Sequence, residues 1–224
     1  MKMIEQILIE GVGEVTLEWI IENEKKVVKQ YVVVRANKLY DLLSYVPAGF
    51  EVRLNRRYLG PNTKEEPIQI GVPDSAYYVA VALHEIGHAR RYLDTAYDSQ
   101  RYNLTSYMAE SSDPKLTLEL INEYMDEEYG PWEFSLQVLR TMQLSEETMR
   151  LIYWKLNQGL NSHLAGFLTL SALTIAAINA GTTSDKIRDQ ILRKREEWIK
   201  RVIGDYDLPA EYIESRGKGI TVTI

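Results

Sequence analysis

Residues 84–88 read His-Glu-Ile-Gly-His, within a stretch, Ala76–Tyr92, that has no proline and one glycine, Gly87. No other segment constrains the fold as much. Ala76, Val79, Ala80, Leu83, Ile86 and Gly87 recur at the spacing of a helix with one buried face. The spacing predicts a helix over 75–93, with Asp74 and Ser75 as capping residues and Pro73 ending the strand before them. On a helix, histidines four apart lie one turn apart on nearly the same face, their Cβ atoms about 6 Å from one another. Both imidazoles then reach one tetrahedral ion. Glu85 projects to the side of that axis, where its carboxylate can take a proton from a water at the ion without being a ligand. Gly87 costs about 1 kcal/mol against alanine in a helix interior. Its presence there predicts the close approach of another backbone or of a substrate.

The rest of the composition narrows the chemistry. His84, His88 and His163 are the three histidines, and there is no cysteine. Disulfides, thiolate ligands and a cysteine nucleophile are excluded, so a metal centre must come from His, Asp and Glu. The net charge of −6 argues against general nucleic-acid binding. The 224 residues suit one domain, and 45% hydrophobic with 26% charged residues is ordinary for a soluble globular chain. Met1–Val12 carries Glu5 and Glu10 inside its apolar stretch and lacks a basic start and a small-residue cleavage site. It does not read as a secretory signal, and a cytoplasmic location is expected.

Leu164–Ala180 is nearly uncharged. It is shorter than the ~20 residues a membrane span needs, and Thr169, Ser171, Thr174 and Asn179 dilute it. It reads as one helix, Leu170 included, buried in the core or in a homo-oligomer interface, and no membrane partner is expected.

The fold class expected is α+β, a small N-terminal β-sheet and a mainly helical C-terminal half in a single domain. Residues 1–73 form the strand-rich part, 74–204 the helical part with the metal site, and 205–224 a tail. Strands are expected at Glu5–Ile9, Glu14–Ile21, Val27–Val34, Phe50–Leu54 and Pro67–Val72, with a turn at Asn23–Lys26 and a short helix at Leu39–Tyr45. Further helices are expected over 103–110, 114–129, 131–142, 145–158, 162–180 and 184–203. The last carries Ile187, Ile191, Trp198 and Val202 along one face.

His-Glu-x-x-His on a helix is the metallopeptidase pattern. Residues 66–92, with the helical stretch around 124–139, resemble the zincin metallopeptidases, and within them the small ImmA/IrrE-type zincins and their phage- or plasmid-borne relatives. The likeness covers about a third of the chain. It implies that Pro67–Val72 runs along the cleft edge above the motif helix and that a glutamate from a later helix completes the metal site. The chain departs from the pattern two residues after the second histidine, where Arg90 replaces an apolar residue.

A hydrolytic zinc site uses three protein ligands and an open position. In the family resembled, the later helix often reads Glu-x-x-Ala-(Asn or Trp)-x-x-Ala. Glu128, Trp132 and Ser135 match it, while Pro131 stands in place of the first Ala. Glu128 is also in helical register with Ile121, Met125, Trp132 and Leu136, which turns it inward. Glu127 is the alternative if Pro131 shifts the register by one. Asp94 is the metzincin-like alternative, six residues after His88 and followed by Ser106-Tyr107-Met108. That reading lacks the glycine that turns the chain off the helix; Arg91 stands there. His163, Tyr124, Tyr129 and Tyr107 are candidates for a group beside the carbonyl oxygen.

The resemblance implies a zinc-dependent endopeptidase that hydrolyses peptide or protein substrates through a metal-activated water. His84, His88 and Glu128 would be the Zn2+ ligands and Glu85 the general base. The alternative is a non-catalytic metal-binding interaction or regulatory protein on the same scaffold.

Overall fold

The computed structural model describes residues 2–61, 66–93 and 114–204. Among them a six-stranded mixed sheet precedes and joins five α-helices, the α+β class expected. Strands β1 (Lys2–Ile9), β2 (Gly13–Glu22) and β3 (Lys25–Arg35) form an antiparallel meander. Along β2, Val15, Leu17 and Trp19 are buried while Glu14, Thr16 and Glu18 are not, the period of two of a sheet with one covered face. Asn23 and Glu24 both take positive φ between the paired Glu22 and Lys25, a two-residue hairpin loop.

The expected short helix at Leu39–Tyr45 is instead a strand and a turn. Lys38–Asp41 (β4) folds back on β3 through Ala36 and Asn37, also at positive φ. Only Leu42–Tyr45 coils, as a 3-10 turn whose first free amide, Leu43 N–H, is accepted by the Asp41 carboxylate at 3.0 Å. Pairing with β3 satisfies the backbone of residues 38–41 better than one isolated helical turn would.

Val52–Leu54 (β5) joins β3 antiparallel, and Ile68–Ile70 (β6) joins β5 in parallel. Ile68 and Ile70 are fully buried. On the outer side of β6, Leu59 exchanges both main-chain hydrogen bonds with Gln69, at 3.0 and 2.9 Å. The strand expected at the cleft edge is present, and at Gln69 its edge is already paired.

Helix α1 (Ala76–Arg91) follows directly, with Ser75 at its N-cap. Eleven of its sixteen residues are buried. Helix α2 (Leu118–Thr141) passes uninterrupted through Pro131, where the sequence reads as two helices. An interior proline costs about 3 kcal/mol, so packing around Pro131 must offset that loss. The helix begins at Leu118 and not at Pro114, because Thr117 Oγ1 accepts the Leu120 N–H at 3.2 Å.

The described residues divide into two compact units. One holds the sheet, α1 and residues 130–152; the other holds 114–129 and 153–204. The division falls inside α2, after Tyr129, and inside helix α3 (Glu146–Ala165), after Ile152. The core of the first unit includes Leu17, Tyr31, Val33, Leu42, Leu83, Ile86 and Leu136, all fully buried.

In the second unit the apolar segment 164–180 is not one helix. Helix α3 ends at Ala165, and α4 (Leu170–Asn179) restarts at an angle of 66°. Thr169 causes the restart by accepting the Ala172 N–H at 3.3 Å. The expectation that Leu170 lies in the core of the chain is corrected: it is 63% exposed and Ile178 72%, while Ala172, Leu173, Ala176 and Ala177 are buried. No single described helix is long and apolar enough to cross a membrane. Helix α5 (Ser184–Val202), capped by Thr183, buries Ile187, Ile191, Trp198 and Val202 as its spacing predicts.

Truncation separates the two faces of α4. Leu173→Ala should cost about 2–5 kcal/mol, the range for a buried leucine. Leu170→Ala should stay within about 0.5 kcal/mol. Urea unfolding of both variants measures the difference, and equal losses would contradict this placement of α4.

Candidate metal centre

The position of α1 follows from β6 and the short connection through Pro73 to Ser75. It places His84 and Glu85 in the interior, 5% and 7% exposed, with His88 half-buried. The two imidazoles stand at 82° to one another, and their Nε2 atoms are 3.1 Å apart. The ligand atoms of His84, Glu85 and His88 all lie within 4.8 Å of each other, a group able to bind a metal ion.

Its dimensions fit. Zinc holds imidazole nitrogen at about 2.0–2.1 Å, so two such ligands of a tetrahedral ion are about 3.3–3.4 Å apart. Two nitrogens at 3.1 Å satisfy one another only if one keeps its proton, whereas a cation uses both lone pairs. A buried carboxylate beside them calls for a positive partner. Two nitrogens and an oxygen suit zinc and several other divalent ions.

Residues after the proline orient His84. Trp132 stacks on its ring with centroids 4.3 Å apart, and Tyr77 stacks on Trp132 at 6.1 Å. Trp132 can approach because Gly87 has no side chain. A Cβ there would lie 2.7 Å from Pro131 Cα. The close approach anticipated for Gly87 is thus a second helix. Ser135, buried one turn on, donates to the Ala80 carbonyl at 2.7 Å. His88 has its own backstop, since a Cβ on Gly60 would sit 2.7 Å from His88 Cβ. Arg90 replaces an apolar residue because its guanidinium lies over the Phe134 ring at 4.9 Å and donates to the Tyr45 carbonyl at 3.2 Å.

Three tyrosines flank the group. Tyr58 stacks on Tyr78 with centroids 5.2 Å apart and lies against Gly71. Its hydroxyl is buried and has no hydrogen-bond partner among the described residues. Burial, then the charges of Asp74, Tyr78 and Glu85, push its ionisation well above the ordinary tyrosine range. Burial, then Tyr78 and Glu85, raises that of Tyr77. Both phenols are therefore neutral donors at physiological pH. Sequence reasoning did not find them. With fifteen tyrosines in the chain, only the fold of residues 58–78 selects these.

Of the other groups named in advance, Tyr124, Glu127, Glu128, Tyr129 and His163 belong to the second unit. In the second unit Glu128 is 4% exposed, its Oε2 3.6 Å from His163 Nε2, and His163 Nδ1 is 3.1 Å from the Tyr124 hydroxyl. Tyr129 stacks on Trp198 at 4.7 Å. The inward register of Glu128 is as expected: Ile121, Met125, Trp132 and Leu136 are buried with it, and Glu127 is half-buried. Asp94 and Ser106-Tyr107-Met108 lie outside the described residues.

Comparison of the chain with protein-family models, with curated proteins and with solved structures gave no match.

Substituting Gly87 tests the helix contact. Gly87→Ala gains about 1 kcal/mol of helix propensity. Against that stand 2.7 Å to a backbone atom and an overpacking cost of about 1–3 kcal/mol or more. The melting temperature should fall and zinc affinity with it. A rise in melting temperature would mean that α2 does not rest on α1 at Gly87.

Proposed function

We propose that the protein is a zinc-dependent endopeptidase, with His84 and His88 as ligands, Glu85 as general base and Glu128 as the third ligand. The observation that carries this reading is the buried His84–Glu85–His88 group on α1, its donor atoms within 4.8 Å of one another. When bound, the ion supplies Lewis acidity toward a scissile carbonyl and brings the pKa of water down toward ~7. Glu85 takes the proton of the attacking water on a carboxylate oxygen and passes it to the leaving amine. Trp132 fixes the plane of the His84 ring, and Gly60 backs the ring of His88.

Glu128 is supported by its burial and by its register. It is one turn before Trp132 on the same face of the continuous helix α2, and Trp132 rests on His84. His163, 3.6 Å from the Glu128 carboxylate, suits the task of orienting a ligand, with Tyr124 holding the histidine in turn.

The roles separate by substitution. Glu85→Gln should retain zinc and lose at least about 10²-fold in turnover on an unstructured protein substrate. Near-parental turnover in that variant would remove Glu85 from the reaction. His84→Ala and His88→Ala should each purify without zinc, and full occupancy in either would mean that the motif is not the site. Glu128→Ala should weaken zinc binding strongly while Asp94→Ala leaves it within a few-fold. The reverse would favour the metzincin-like arrangement, and a loss in Glu127→Ala alone would mean that Glu127 is the ligand. Stoichiometric zinc with no hydrolysis of any substrate by the parent would assign the protein to non-catalytic binding.

A further inference from the structure

Two adjoining cavities, of about 670 and 650 Å³, lie on one flank of the sheet and share Asn55, Arg56 and Val72. Together they form a groove from the β2–β3 turn, at Glu24–Lys26, past residues 53–59 to Asp74 and Tyr78. Tyr78 is in the first turn of α1, seven residues before Glu85. That is two turns, about 10 Å, on the same helix face. The inner end of the groove therefore opens on the face that carries Glu85.

The charge in this groove runs against that of the chain. The whole protein carries −6, yet Lys25, Lys26, Arg53, Arg56 and Arg57 line the groove against Glu24 and Asp74. Arg53 is paired with Glu51. Lys25, Lys26, Arg56 and Arg57 make no ion pair with any described residue, and all four are exposed. Like charges gathered in a concave surface repel one another and raise the local potential, a cost that an anionic ligand reverses. Leu59 and Val72, 47% and 39% exposed, add apolar surface to the same walls.

We propose that this groove selects the substrate: it holds an acidic peptide segment on one side of the scissile bond, its carboxylates on Arg56, Arg57, Lys25 and Lys26. The inference rests on the peptidase reading and supplies its substrate class. A peptide fits better than a nucleic acid. The groove mixes cations with exposed apolar side chains, and beyond it the net-negative chain repels a long polyanion.

The test uses the zinc-loaded full chain and two labelled peptides that differ only in glutamate against glutamine. The glutamate peptide should have kcat/KM at least about tenfold higher, through KM, and the advantage should shrink as salt rises through the Debye range. In the double variant Arg56→Glu/Arg57→Glu the ratio of kcat/KM for the glutamate peptide to that for the glutamine peptide should fall to about one or below. Equal cleavage of both peptides by the parent, or an unchanged preference in the double variant, would overturn the proposal and leave the peptidase reading intact. Fluorescence anisotropy of the same peptides is read independently of hydrolysis. Binding of the glutamate peptide that the double variant loses supports the groove even if nothing is cleaved. Tighter binding of a single-stranded oligonucleotide at the same residues would overturn the peptide assignment.

Discussion

The contact of Pro131 with Gly87 is the constraint on which the site depends. Helix α1 is buried on most of its surface, so a second helix must pack tightly against it to exclude water. Gly87 removes the one side chain that would hold α2 away, and Pro131 fills the space. Each residue is unfavourable in a helix by itself. Together they bring Trp132 flat onto His84 and Ser135 onto the Ala80 carbonyl. The local cost of both residues is offset by a contact that neither alanine nor leucine could make at that distance.

The second constraint is electrostatic. Two imidazoles and a carboxylate share a small, mostly buried volume, and their lone pairs converge. The surroundings are aromatic: Trp132 stacks on His84 and Tyr77 on Trp132, Tyr58 stacks on Tyr78, and the charge of Glu85 reaches both Tyr58 and Tyr77. Aromatic walls keep the local dielectric low, which strengthens attraction between the buried carboxylate and any cation admitted to the site. The same burial keeps the flanking phenols of Tyr58 and Tyr77 neutral, so they add no negative charge.

Much of this was legible in the sequence, and the exceptions have physical causes. The motif helix was readable from period and caps, because its apolar spacing and its chemistry lie in one uninterrupted segment. The inward register of Glu128 was readable because helical periodicity survives Pro131 even though the residue's propensity argues for a break. The continuity of α2 was not readable, since the contact that compensates Pro131 is 44 residues away at Gly87. The break in 164–180 was hidden because uniform apolarity masks a cap. Thr169 looked like dilution of a buried run, and it is the residue that starts a new helix. The tyrosines and the basic groove were invisible for a related reason. Both gather residues from separate segments of the sheet region, and nothing in their local spacing marks them.

The central claim is that His84 and His88 hold one zinc ion with a carboxylate as third protein ligand. X-ray absorption spectroscopy of the protein loaded with one equivalent of zinc reads the ligand set directly. The account predicts imidazole scattering from two histidines and nitrogen or oxygen ligands at about 2.0–2.2 Å around a low-coordinate ion. A six-coordinate, all-oxygen shell without imidazole scattering would contradict it.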